Sequence, residues 1–175
     1  MANTYVAIAT VTVGAGGAST IDFSSIPATY TDLCLKVSMR NTIAATYSVP
    51  TFRLNGSTSS IYSQRRLLGS GSGTSSNADS NTSYGILAIG QAATSTASTF
   101  GSYELYIPNY AGSNNKSWSI DQVTENNGTE AYAVLWAGIW ASTSAINQIT
   151  IQDATGGAGN IAQYSTATLY GIKNS

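Results

Sequence analysis

The chain has 175 residues, of which 9% are charged, and a formal net charge of -1 at pH 7. This length favours one domain, residues 1–175, with a core large enough to need neither disulfides nor metal. Histidine is absent, which removes the usual general base and the commonest transition-metal ligand, and the seven basic residues form no dense patch. We therefore expect no enzyme activity, no catalytic residue, no cofactor, no metal and no nucleic-acid partner.

The first part of the chain has the pattern of short strands separated by turns. β-Branched and apolar residues predict strands over 5–13 and 19–23, with glycines between them. Apolar residues then alternate with polar ones over 32–40, which predicts a strand with one buried face. Cys34 lies in that strand, and we predict a buried structural thiol. Two further strands, 51–54 and 61–68, flank a turn at Asn55-Gly56.

A polar stretch rich in glycine and serine follows, from Gly69 to Ser83. It holds no apolar residue larger than alanine, which predicts a long exposed loop inside the domain. A flexible linker between domains is the alternative, but the strand patterns on both sides are alike. Asn77, Asp79 and Asn81 alternate like calcium ligands, yet the glycine and closing glutamate of such a loop are missing, so loop solubility explains them better.

The remainder of the chain adds more short strands. Their predicted ranges are 84–89, 100–107, 117–124, 129–141, 146–152 and 164–172. About ten strands with turn signals every dozen or so residues predict an all-β fold, an antiparallel β-sandwich of the jelly-roll type. No internal repeat is visible, which argues against a propeller or solenoid.

The strand predicted at 129–141 is apolar on both faces. One face carries aromatic rings and the other carries leucine, isoleucine and alanines. One face needs the opposite sheet as cover, and the other needs a loop of the same chain, a sister subunit or a ligand such as a sugar. We therefore predict interface residues at the aromatic positions Tyr132, Trp136 and Trp140.

Arg65 and Arg66 are predicted as further interface residues because arginine makes bidentate bonds to acidic groups. The alternative is a pair that points to opposite sides of an exposed strand. The tryptophans and tyrosines could stack on sugars, although core or interface anchors are commoner.

The remaining candidate sites have simpler explanations. Asp121 with Glu125 or Glu130 is a local carboxylate cluster beside a turn, and a solvated strand end is favoured over an acid/base pair. The glycine runs at 14–17 and 69–73 lack the Gly-Lys-Ser/Thr of a phosphate loop. The N-terminus lacks the pattern of a signal peptide, and no stretch reaches the ~20 apolar residues of a spanning helix, so no membrane partner is expected.

Several segments together resemble small structural proteins of tailed bacteriophages. They are 26–33 with Arg40-Asn41, 52–56 with Tyr62 and 65–68, 135–140 with Ala145-Ile146, and 164–172. The resemblance runs over most of the chain. It implies a β-sandwich of the virion, of the head-decoration or tail-fibre type.

The resemblance does not choose between head and tail. A fibre usually shows a repetitive shaft before its head, whereas this chain begins directly with a predicted sandwich strand. We expect a decoration (cement) protein, made in the host cytoplasm and placed on the outer capsid surface. Its expected partners are the major capsid protein and copies of itself, with a trimer favoured. The alternative is a tail-fibre or receptor-binding module that recognises a host-surface carbohydrate.

Overall fold

The computed structural model describes residues 4–128, 131–153 and 159–173, and within them it contains strands and turns without a helix. The strands are β1 (Tyr5–Thr12), β2 (Thr20–Phe23), β3 (Asp32–Met39), β4 (Tyr47–Ser48), β5 (Pro50–Leu54), β6 (Tyr62–Gly69), β7 (Thr74–Thr82), β8 (Gly85–Ile86), β9 (Gly90–Gln91), β10 (Gly101–Pro108), β11 (Lys116–Thr124), β12 (Tyr132–Trp140), β13 (Ile149–Asp153) and β14 (Thr166–Ile172). The described residues thus offer no helix of the length and hydropathy that crossing a bilayer requires. The predicted all-β class is confirmed.

The strands form two main antiparallel sheets. The larger has the order β1-β14-β3-β10-β11-β12-β6-β7 and the smaller has the order β2-β13-β5-β8, while β4 pairs with β9 apart from both. The chain changes sheet at each step from β1 to β2 to β3, and again at each step from β12 to β13 to β14. The sets β1-β14-β3-β10 and β2-β13-β5-β8 therefore have jelly-roll connectivity. The predicted antiparallel sandwich is confirmed, with four strands added to the edge of the larger sheet.

Side chains of both sheets interdigitate in one core. The apolar residues that alternate along β3 are buried, as predicted: Leu33, Leu35, Val37 and Met39. Across the sandwich, the ring of Phe52 on β5 meets that of Trp118 on β11 edge-on, with centroids 5.2 Å apart and an interplanar angle of 83°. Aromatic contacts of this kind fix the distance and register between the two sheets.

Cys34 is buried, as predicted, but it lies on the outer face of the larger sheet. Its neighbours directly across β10 and β14 are Tyr106 and Tyr170. Burial raises the pKa of the thiol to about 11. Cys34 is therefore a protonated packing residue at neutral pH.

The predicted exposed loop over 69–83 is wrong for most of its length. Residues Thr74–Thr82 form β7, which pairs with β6 and ends the larger sheet. None of its side chains is buried, so the sequence shows no alternation from which a strand could be recognised. The turn is confined to 70–73, where Ser70 N donates to Gly73 O at 3.0 Å. A polar edge strand also discourages pairing with other chains.

The difference in size between the sheets decides which surfaces remain uncovered. Eight strands face four, and the smaller sheet ends at the two-residue strand β8. The inner side of the larger sheet therefore opens into a cleft near β6 and β7. Its outer side has no covering layer in the described part of the chain.

Candidate functional site

The predicted interface residues are divided between the two faces of the larger sheet. On β12 the aromatic face points inward, and Trp136 and Trp140 are each only 3% exposed. On β6, Arg66 faces inward beside Trp136, whereas Arg65 is exposed on the outer side. The alternative interpretation of the arginine pair, opposite sides of one strand, is the one that the structure supports.

Trp140 belongs to the core of the single chain. Its ring lies 6.3 Å from that of Tyr62, centroid to centroid, and the hydroxyl of Tyr62 accepts a hydrogen bond of 2.9 Å from Leu54 N in the smaller sheet. Burial raises the pKa of Tyr62. Because Trp140 is buried against a tyrosine that bonds to the smaller sheet, its predicted interface role has no exposed surface to support it.

Arg66 and Trp136 form the floor of the cleft. The guanidinium carbon of Arg66 lies 5.6 Å from the centroid of the Trp136 ring, within the range of a cation–π contact. Trp136 Nε1 in turn donates to Gln122 Oε1 at 3.4 Å. The indole of Trp136 is thus positioned by its hydrogen bond to Gln122, and its ring face packs against the guanidinium of Arg66.

Gln122 also fixes one wall of the cleft. Its side-chain amide makes two bonds to the backbone of Ile89, accepting from the N–H at 2.9 Å and donating to the carbonyl at 2.8 Å. Thr124 Oγ1 donates to the same carbonyl at 2.7 Å. The segment between β8 and β9 is therefore tied to the larger sheet by buried side chains.

The cleft has a volume of about 510 Å³ and combines rings, hydroxyls and one cation. Its described lining residues are Tyr47, Val49, Arg66, Leu68, Ser70, Ser72, Ser75, Ile86, Ile89, Tyr132 and Trp136. They include no carboxylate, thiol or imidazole. Such a lining can bind a polar ligand and orient it, but it offers no nucleophile paired with a base.

A second surface lies on the opposite side of the same strands. Its apolar side chains are Leu67 on β6, Leu135 and Ile139 on β12, and Val123 on β11, exposed by 58%, 57%, 36% and 49%. Leu67 is directly opposite Leu135, and Val123 is directly opposite Ala133. We call these five residues the outer apolar face.

Charged groups flank the outer apolar face on both sides. Asp121 on β11 is directly opposite Leu135, and Arg65 on β6 is directly opposite Ala137. The sequence indicated the apolar outer side of β12 but missed Leu67. The available signal was the pair Leu67-Leu68, since two consecutive strand residues cannot both face one core.

The other candidates are surface groups. Asp121 and Glu125 are exposed, and Glu125 Oε1 accepts a turn hydrogen bond of 2.6 Å from Asn127 N, while Glu130 lies outside the described residues. Asn77 and Asp79 belong to β7, where Gln64 Nε2 donates to Asp79 Oδ2 at 3.4 Å. Across the described ranges, no three Cys, Asp or Glu residues come together as metal ligands would.

Comparisons with known proteins assign no family to the chain. No family model matches it, and no curated protein matches it. Among solved structures, one from Bacteroides vulgatus that is described as a "putative pore-forming toxin" aligns over 90% of this chain and 56% of that one, at 8% identity and a TM-score of 0.09. This chain spans little more than half the length of that structure. A similarity of this size carries no argument about fold or function.

Proposed function

We propose that the protein is a bacteriophage virion structural protein that binds the outside of the head shell and stabilises it. The outer apolar face is the observation that carries the proposal, together with the phage-like segments of the sequence. Four apolar side chains there are between 36% and 58% exposed and lie on three adjacent strands. Isolated apolar residues on a surface are ordinary, but a contiguous cluster marks a contact surface.

The arrangement of this face suits a protein contact. An apolar centre is flanked by Asp121 and Arg65, in the way that interfaces place charges around a dry centre. Four exposed apolar side chains make only a modest contact for a single copy of the protein. On a shell lattice, many modest contacts act together, and a protein that bridges neighbouring subunits stabilises the assembly by mass action.

The major capsid protein is the proposed partner of the outer apolar face. A trimer of this chain, which the sequence favours, is the other way to bury the same residues. The two cases differ in solution, because a trimer that uses this face forms without a shell. Sedimentation equilibrium of the purified protein and of Leu67→Gln/Leu135→Gln distinguishes them.

Reconstitution tests the proposal. Heads that lack the protein are heated with a DNA-binding dye, with and without added protein, and the temperature of DNA release is recorded. Wild-type protein is expected to raise that temperature, whereas Leu67→Gln/Leu135→Gln is not. Tyr164→Gln is the control, since Tyr164 is 71% exposed but lies outside this face. An unchanged release temperature with wild-type protein rejects the role.

A second candidate function is carbohydrate recognition by a tail-fibre or receptor-binding module. The cleft favours it, because the exposed ring of Tyr47, the half-buried ring of Tyr132, several hydroxyls and one cation are groups that bind sugars. Tyr47 stands at the cleft and is 46% exposed.

A further inference from the structure

We propose that the cleft above Trp136 binds a carboxylated saccharide, with the ligand carboxylate paired to Arg66. The proposal goes beyond the decoration role and does not depend on it. It deepens the carbohydrate-binding candidate and rests on that candidate. The unused hydrogen-bonding capacity of Arg66 is its starting point.

The four arginines of the chain all lie in described segments, and three of them are satisfied. Arg40 donates to four backbone carbonyls between 93 and 99, Arg53 to Ser83 O and Gln152, and Arg65 to Gln64 O and Asp79 O. For Arg66, the described residues supply the Trp136 ring but no hydrogen bond or ion pair. Its Nε is buried without an acceptor.

The two terminal nitrogens of Arg66 also have no acceptor among the described residues, and unlike Nε they are not buried, so a ligand in the cleft can reach them. A carboxylate is the natural acceptor, because its two oxygens match the planar fork of a guanidinium. The Trp136 ring holds that fork in place before a ligand arrives. Less side-chain freedom is therefore lost when an anion binds.

The electrostatics of the cleft favour an anion. Its described lining residues include Arg66 and no aspartate or glutamate. On the neighbouring strand, the carboxylate of Asp79 is engaged by Gln64 Nε2 at 3.4 Å and by Asn77 Nδ2 at 3.4 Å. These neutral donors leave Asp79 charged, but Asp79 is not a lining residue, so no carboxylate within the lining opposes an anion at Arg66.

The remaining lining fits the sugar part of the ligand. Tyr47 and the half-buried Tyr132 present ring surface, and the exposed Ser72 and Ser75 present hydroxyls, while the hydroxyl of Ser70 is already bonded to Ser72 Oγ and Gly73 O. Hydroxyls both donate and accept, as sugar hydroxyls require. A volume of about 510 Å³ lies within the range of small-ligand sites. The combination selects a polar ring bearing a carboxylate over a simple anion.

Titration calorimetry with two matched disaccharides tests the proposal. Digalacturonic acid carries the carboxylates, and its dimethyl ester has the same ring framework without charge. We expect the acid to bind the wild-type protein about tenfold or more tightly than the ester, the effect of one charge-assisted hydrogen bond. Arg66→Gln should remove that preference. Arg65→Gln, which deletes the same charge from the other face of β6, should leave it within about twofold.

Each other result contradicts a stated part of the proposal. Equal binding of acid and ester overturns the carboxylate assignment but leaves the carbohydrate candidate standing. If neither the acid nor the ester binds, the carboxylate assignment and the carbohydrate candidate are both overturned. An acid preference lost equally in Arg65→Gln and Arg66→Gln overturns the placement in the cleft. The comparison of acid and ester on wild-type protein needs no variant, so it stays decisive even where Arg66→Gln fails to fold.

Discussion

Leu67 and Leu135 lie directly opposite each other on β6 and β12, yet each is more than half exposed to solvent. A cross-strand leucine pair stabilises a sheet when another layer covers it. Here the covering layer lies on the other side, where Leu68 and Val134 are buried. The pair is therefore available to a partner, and this relationship underlies the proposed attachment to a shell.

The exposed pair is expected to contribute little to the stability of the chain itself. Leu67→Gln/Leu135→Gln should change the free energy of unfolding by no more than ~1 kcal/mol, because little apolar surface returns to water. Leu105→Ala in the core is the comparison and should cost ~2–5 kcal/mol. Urea unfolding measures both. A loss in the double variant as large as that of Leu105→Ala would show that these leucines support the fold.

Gly138 on β12 is required by the packing of Trp118. A Cβ at this position would lie 2.1 Å from Trp118 Cζ2, and Trp118 is itself held against Phe52. Gly138→Ala should therefore destabilise the protein by ~1–3 kcal/mol through overpacking. Gly14→Ala is the matched control, since an added Cβ there has nothing within 4 Å. Equal melting temperatures for the two variants would contradict this packing.

Gln122 is expected to hold the wall of the cleft in place. Gln122→Leu leaves the N–H of Ile89 without its acceptor, while Thr124 still donates to the Ile89 carbonyl. An orphaned buried donor costs ~1–3 kcal/mol. Hydrogen exchange at the Ile89 amide should accelerate, whereas Ser119→Ala, an exposed change on the same strand, should leave it unchanged. Unaltered exchange in Gln122→Leu would mean that another group protects this amide.

Cys34 links stability to alkaline pH. Its pKa in the folded protein is raised to about 11 from an ordinary value of 9.0, because burial disfavours the thiolate. A raised pKa means that the folded state holds the proton more tightly, so this contribution is complete below pH 9 and is lost between pH 9 and 11.

The stability difference between wild type and Cys34→Ala should therefore shift against the wild type over that interval. Thiol reagents should label Cys34 at pH 8 only after denaturation. Rapid labelling of the folded protein would contradict the burial.

Regular alternation made parts of this fold predictable. The buried face of β3 and the doubly apolar β12 follow from side-chain period, and so does the sandwich class. β7 could not be predicted, since it pairs through its backbone and carries polar residues on both faces. Two-residue strands such as β8 are too short to show a period.

The candidate site was only partly predictable. The pattern of β12 indicated that one face would lack cover, but Trp136 and Trp140 proved to be on the covered side. The cleft could not be foreseen, because Tyr47, Arg66 and Tyr132 come together only through the order of the strands. Arg66 could be singled out in the sequence as half of the Arg65-Arg66 pair, but nothing in the sequence indicated that it would pack on the ring of Trp136.

Photo-crosslinking in the assembled virion is the most direct test of the attachment account. Benzoylphenylalanine is placed at Leu135 in one variant and at Tyr164 in another, and purified particles are irradiated and analysed by mass spectrometry. The account predicts crosslinks to the major shell protein from position 135 and none from position 164. Virions that lack the protein, or crosslinks from position 135 to tail proteins alone, would contradict it.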